Sequence, residues 1–188
     1  TETWREVVAR RQRHEEIRGK LASGKVHDIN DLITLNLNIS QFGEDVIVQS
    51  ENPELVQAFW HALNNVSILD PTCGSGAFLF AALNILEPLY NACLEGMRGF
   101  MDDTERSGES HPIEEFSDFR KILNETDDTH RHPNQRYFVL KAIILNNLYG
   151  VDIMEEAVEI CKLRLFLKLV AQTGSYEQIE PLPDIDFN

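Results

Sequence analysis

Three apolar residues, Val66, Ile68 and Leu69, run into an acid, Asp70. The loop Pro71-Thr72-Cys73-Gly74-Ser75-Gly76 follows, and then an apolar run from Ala77 to Leu86. Strand, glycine loop and helix in that order make the first half of a βαβ unit, so a parallel α/β sheet is expected. Glycine at 74 and 76 allows positive φ and lets a ligand approach the main chain. The helix behind the loop points unpaired N–H groups at whatever the loop holds. Open α/β sheets bind ligands beyond the carboxyl ends of their strands, which is where this loop lies. The stretch therefore reads as a cofactor loop, with a purely structural strand-to-helix turn as the alternative.

The residue pattern narrows the cofactor. A dinucleotide fingerprint needs a third glycine where Leu79 stands, and an acid roughly 20 residues on at the end of a second strand. No strand pattern surrounds Glu87 or Glu95, so an NAD site is a weak reading. A P-loop is excluded, because no Lys-Ser or Lys-Thr follows the glycines. The next convincing strand is Asn147-Leu148-Tyr149-Gly150-Val151-Asp152, which again ends in an acid.

These two segments, Asp70 to Leu79 and Leu148 to Ile153, resemble motifs I and II of S-adenosylmethionine-dependent DNA adenine-N6 methyltransferases. The likeness is to the large enzymes of restriction-modification systems, including the type IIG/IIS kind that join modification and cleavage in one chain. It extends from about Asn52 to Ala171, with an unmatched stretch inside. The resemblance implies a Rossmann-like class I methyltransferase core, here a partial parallel sheet, with S-adenosyl-L-methionine as cofactor. The loop Asp70, Pro71, Thr72, Cys73, Gly74, Ser75 and Gly76 would receive the amino-acid end of the cofactor. Backbone N–H groups suit its carboxylate and Asp70 its ammonium. Asp152 would accept the ribose hydroxyls, Ile153 would pack on the adenine, and Phe78 would line the methionine site. Simpler roles stay open: Asp70 or Asp152 as helix-capping acids, and Phe78 as a core residue.

In this family the adenine amine attacks the methyl carbon after the base is flipped from the duplex. The Asn/Asp-Pro-Pro-Tyr/Phe motif that serves this step is missing, and the sole Asn-Pro is Asn52-Pro53, ahead of motif I. No catalytic residue for transfer is therefore assigned. DNA would be bound through parts of a longer enzyme. Two other functions remain alternatives: a class I methyltransferase acting on protein, RNA or a small molecule, and a non-enzymatic helical interaction module.

Charge bears on the same point. A net charge of −14 opposes gripping DNA phosphates with this segment alone. The first 25 residues are the exception, with Arg5, Arg10, Arg11, Arg13, Arg18, Lys20 and Lys25 against four acids. That basic head reads as the solvated face of a helix, with phosphate contact as the second choice. Cys73, Cys93 and Cys161 have unrelated spacings, which argues against a disulfide framework or zinc site and fits a reducing cytoplasm. No uninterrupted apolar run of membrane-spanning length and no signal-peptide pattern is seen, so no membrane role is expected. The start at Thr1 and the stop at Asn188 suggest a piece of a longer protein.

Taken in order, residues 1–50 are expected to form a helical segment. One helix runs to about residue 22 and stops at Gly24, and a second lies within Asp28–Asn38. Residues 41–50 are ambiguous, because Val46-Ile47-Val48 has strand composition. The methyltransferase domain then occupies 51–188. Asn52-Pro53-Glu54 starts a helix with Trp60 on its core face. The helix after the loop reaches Cys93, with Pro88 kinking or restarting it. Residues 94–135 carry eleven acids against five bases and read as an acidic surface insertion, partly helical over Ile113–Leu123. No metal-ligand spacing occurs there, and His130-Arg131-His132 reads as an exposed turn. Tyr137–Asn146 and Met154–Ala171 are helices. The second has so broad an apolar surface that burial between two layers is expected. Gly174 ends it, and Asp184–Phe187 begins a third strand.

Overall fold

A computed structural model of the chain describes residues 3–107, 116–128 and 132–173. The expected stop at Gly174, the third strand at Asp184–Phe187, the pair His130-Arg131 and the start of the helix at Ile113 lie outside the described residues. The chain divides after Phe42 into two compact units.

The first unit holds α1 (Trp4–Ala22), α2 (Ile29–Thr34) and the start of α3 (Ile39–Val48). Helix α1 opens where Glu6 accepts the Thr3 N–H at 2.6 Å, and it stops where the sequence places Gly24. Gly24 takes φ +65°, and the Gly24 and Lys25 N–H groups return to the carbonyls of Leu21 and Lys20, both at 3.1 Å. This is a Schellman closure. No residue of α1 is buried. Helix α2 is shorter than the sequence suggests, because Asn36 turns into the left-handed region at φ 53°. Residues 41–48 are helical, not extended. The Asn38 side chain accepts the Gln41 N–H at 3.1 Å, and Ile47 is buried. Local capping and burial override the β-branched composition.

The second unit is built around α5 (Ala77–Ser107), which packs against α4 (Pro53–Asn65), α6 (Ser117–Thr126), α7 (Gln135–Asn146) and both strands. The strands are β1 (Ile68–Asp70) and β2 (Leu148–Gly150), and α8 (Glu155–Val170) follows β2. Asn52 caps α4 by accepting the Glu54 N–H at 2.9 Å, as its sequence predicts. Trp60 is buried and meets Tyr90 of α5 edge to face, with ring centroids 5.4 Å apart.

Strands β1 and β2 pair in parallel, with Ile68, Leu69 and Asp70 opposite Leu148, Tyr149 and Gly150. Val66 falls outside the ladder because its N–H closes α4 on the Ala62 carbonyl. The described residues thus form a helix-rich unit with a two-stranded parallel sheet, narrower than the Rossmann-like core expected from the sequence. Strand alternation places Leu148 and Gly150 inward, while Leu69 and its neighbour Tyr149 are exposed on the opposite face.

Three expectations change in this unit. Helix α5 continues through Pro88 as a single element to Ser107. The acidic stretch from residue 94 therefore begins inside this helix. Leu94, Met97, Phe116 and Phe119 are buried, while Glu95, Asp102, Asp103, Asp118, Glu125 and Asp127 are exposed. Helical periodicity lets one segment be acidic outside and apolar inside. Secondly, Ala77–Thr104 is long and apolar enough to cross a membrane by length and composition. Scattered Asn84, Glu87 and Asn91 interrupt the apolar run without removing that character. Its buried face, including Leu79, Leu83, Leu86 and Tyr90, belongs to the core of the unit. Thirdly, α8 is covered on one side. Val158, Cys161, Leu165 and Leu169 are buried, whereas Ile160, Leu163 and Leu167 are each at least half exposed.

Candidate functional site

The carboxyl ends of β1 and β2 build the site. Beyond the formal strands, the ladder continues as the Val151 N–H donates to the Asp70 carbonyl and the Cys73 N–H to the Val151 carbonyl, both at 2.9 Å. The glycine loop is thereby attached to the second strand from its first turn. The Asp70 carboxylate accepts the Thr72 N–H at 3.2 Å through Oδ1, while its Oδ2 is buried without a hydrogen-bond partner among the described residues. The Asp152 carboxylate bridges two backbones. Its Oδ2 accepts the Gly74 N–H at 2.8 Å, and its Oδ1 accepts the Met154 N–H at 2.9 Å. The second contact, followed by the first, holds its pKa below the ordinary carboxylate range. Asp152 thus organises the start of α8 and fixes the loop 78 residues upstream of it.

The two loop glycines answer different needs. Both take positive φ, +50° at Gly74 and +86° at Gly76. Gly74 has open space around it, whereas a Cβ on Gly76 would stand 2.5 Å from Cys161 Sγ. A Cβ on Gly150 would lie 3.1 Å from Cys73 Sγ, so the second strand passes directly beneath the loop. Cys73 and Cys161 are buried free thiols. Burial, joined by the neighbouring Asp152 and Asp70, raises the Cys73 pKa, and burial beside Cys73 pushes Cys161 to about 11. Both are neutral packing groups at ordinary pH, not nucleophiles.

The structure gathers all the residues singled out from the sequence at one end of the sheet, in different exposures. Pro71, Thr72, Ser75, Phe78 and Ile153 face solvent, Asp70, Gly74 and Asp152 are half-buried, and Cys73 and Gly76 are buried. Phe78 is 79% exposed and Ile153 fully so, which places neither in the core. Sequence reasoning missed Gly150, Cys161 and Arg164. Gly150 carried a signal, a glycine inside a strand, which marks close approach of another backbone. Cys161 and Arg164 carried none, since their contacts with the loop arise only when α8 folds back.

Comparison with known proteins agrees with this geometry in extent. The sequence model of the family described as "MmeI, DNA-methyltransferase domain" matches residues 47–182. A protein of Methanocaldococcus jannaschii named "Putative type II restriction enzyme and methyltransferase" is 32% identical over 181 residues. That alignment covers 94% of this chain and 12% of the relative, so the chain spans about an eighth of the relative's length. No solved structure matches the chain.

Proposed function

We propose a function from one premise: the chain belongs to the MmeI DNA-methyltransferase domain family, a restriction-modification methyltransferase family. Within it, residues 51–188 form the front of the methyltransferase domain and residues 1–50 a helical lead-in. This front binds S-adenosyl-L-methionine, and the whole enzyme transfers a methyl group to adenine N6 of DNA in the cytoplasm. The cofactor supplies an electrophilic methyl group on sulfur. This chain's residues bind and orient it.

One observation carries the reading. A half-buried acid, Asp70, presents an oxygen with no hydrogen-bond partner among the described residues, next to a loop with two left-handed glycines, at the end of parallel strands. An orphaned buried oxygen costs free energy unless a donor reaches it. The ammonium of an amino-acid end is such a donor, and it fits. Backbone N–H groups of the loop and of the first turn of α5 favour the carboxylate of the same end. Asp152 has both oxygens engaged by N–H groups, yet each carboxylate oxygen has two acceptor sites. It retains capacity for the two ribose hydroxyls, and exposed Ile153 offers an apolar surface for the adenine. Pro71, Thr72, Cys73 and Ser75 shape the loop, and Phe78 borders the methionine end. DNA binding and the transfer step fall to regions outside these 188 residues, in keeping with the acidic charge and the missing Pro-Pro motif.

Calorimetric titration of the full chain with S-adenosylhomocysteine and with NAD tests the cofactor. Binding of the first and not the second is expected, and the reverse result refutes the reading. Tritium transfer from labelled cofactor to adenine-containing DNA tests the activity. A longer enzyme that contains this domain is expected to be active and these 188 residues alone inactive. Label in cytosine instead of adenine N6 would overturn the substrate assignment.

A further inference from the structure

Arg164 is assigned by neither the family match nor the motif reading. It lies on α8, 89 residues from the loop, yet its guanidinium donates to both the backbone carbonyl of Ser75 and, at 3.0 Å, the Ser75 hydroxyl. The same guanidinium sits 4.7 Å from the centroid of the Phe80 ring. The ring braces the cation from one side through a cation–π contact.

Ser75 stands between the two left-handed glycines. Glycine has little intrinsic preference in φ, so a loop of this kind is loose unless its peptide groups are tied. The Gly74 N–H is held by Asp152 and the Gly76 N–H by the Cys73 carbonyl at 2.7 Å. The Ser75 carbonyl lies between these two ties, and Arg164 holds it. One turn earlier on the same helix, Cys161 fills the space beneath Gly76. Helix α8 thus meets the loop at successive turns, with a thiol under one residue and a cation on the next. Both bonds leave one guanidinium nitrogen, Nη1, while the delocalised plane of the same group lies against the Phe80 ring, a combination that suits arginine better than the compact ammonium of lysine.

We propose that Arg164 is the positioning residue of the glycine loop, clamping Ser75 so that the loop is ordered before the cofactor arrives. The clamp rests on the loop contacts alone; its effect on affinity rests on the cofactor reading above. Preorganisation raises affinity by removing the ordering cost from the binding step, and the positive charge also favours a nearby carboxylate.

The test uses the full chain and the variants Arg164→Ala, Arg164→Lys, Ser75→Ala and the Arg164→Ala/Ser75→Ala double. S-adenosylhomocysteine affinity, melting temperature and amide hydrogen exchange of residues 74–76 in cofactor-free protein are read on each. Arg164→Ala is expected to weaken binding about tenfold and to speed loop exchange by a similar factor, with α5 and α7 amides unchanged. Arg164→Lys keeps the charge without the planar group that lies on Phe80 and should recover only part of the loss. Ser75→Ala should weaken binding a few-fold alone, and less in the Arg164→Ala background, the signature of a shared contact. Loop exchange and affinity equal to wild type in Arg164→Ala, with only a lower melting temperature, would overturn the clamp. Fully independent effects of the two substitutions would overturn it as well. If the wild type fails to bind S-adenosylhomocysteine while Arg164→Ala still loosens the loop, the clamp stands and the cofactor reading falls.

Discussion

The two ends of the same pair of strands are built on opposite rules. At the amino ends, Asn147 is fully buried and spends its side chain on structure. Its Nδ2 donates to the carbonyls of Leu63 and Val66 at 2.6 and 2.7 Å, and its Oδ1 accepts the Tyr90 hydroxyl at 3.0 Å. Burial pushes the Tyr90 pKa up to about 12, so the phenol stays a donor. At the carboxyl ends the polar groups are acids, half-exposed, and they hold backbone N–H groups of a glycine loop. One oxygen of Asp70 there has no hydrogen-bond partner among the described residues, and apolar Phe78 and Ile153 face solvent. The closed network fixes strand register and gives up any capacity to bind. The open one keeps acceptor capacity and exposed surface, the properties a ligand site requires.

The comparison breaks first, if it is to break, at Asn147. Asn147→Leu would strand two carbonyls and a phenol, and a loss of about 3–5 kcal/mol in urea unfolding is expected. A loss below about 1 kcal/mol would mean that the amino-end network is not structural.

Gly76 and Gly74 sharpen the contrast within the loop. Gly76→Ala adds a methyl against Cys161 Sγ as well as left-handed strain, and about 2–4 kcal/mol is expected. Gly74→Ala meets only the strain, about 1–2 kcal/mol. Thermal unfolding of both, and of Gly76→Ala combined with Cys161→Ala, checks the order. The double variant should recover part of the loss, because the Sγ contact is removed.

Asp152 comes next, and here the effect should move from stability to binding. Asp152→Ala should weaken S-adenosylhomocysteine affinity about ten- to a hundredfold, because charge-assisted hydrogen bonds to the ribose are lost. Its stability should fall only slightly, because the turn that Asp152 makes with the Met154 N–H ahead of α8 is lost. Asp152→Asn keeps an acceptor for one N–H and should fall between. An Asn variant that binds like wild type, with an Ala variant that loses stability alone, would leave Asp152 a turn-forming residue and nothing more.

The smallest effect is in acid. The folded pKa of Asp152 is depressed by the Met154 and Gly74 N–H groups. Its stabilisation is therefore complete above the ordinary carboxylate pKa and is lost as pH falls through the depressed value. Asp152→Asn should flatten this part of the acid limb in melting temperature against pH. An unchanged limb would assign acid sensitivity to other carboxylates.

Much of this was legible in the chain because the determinants are local. Asn52-Pro53 capped α4, Gly24 closed α1, and the Asp70–Gly76 and Leu148–Asp152 stretches marked both strand ends and the loop. Residues 41–48 and 94–107 were harder for one reason. Composition averaged over a window cannot tell which face is buried, and one face of α5 in the acidic stretch carries Leu94 and Met97 into the core.

The sequence by itself determined where the strand, loop and helix signals lie, and the family to which they point, since both depend on residue order over short spans. Only the tertiary structure decided what holds the loop. Asp152 on Gly74, Cys161 under Gly76 and Arg164 on Ser75 join residues 78 to 89 positions apart. No spacing rule reaches that far, because these contacts exist only once β2 pairs with β1 and α8 packs back against the loop.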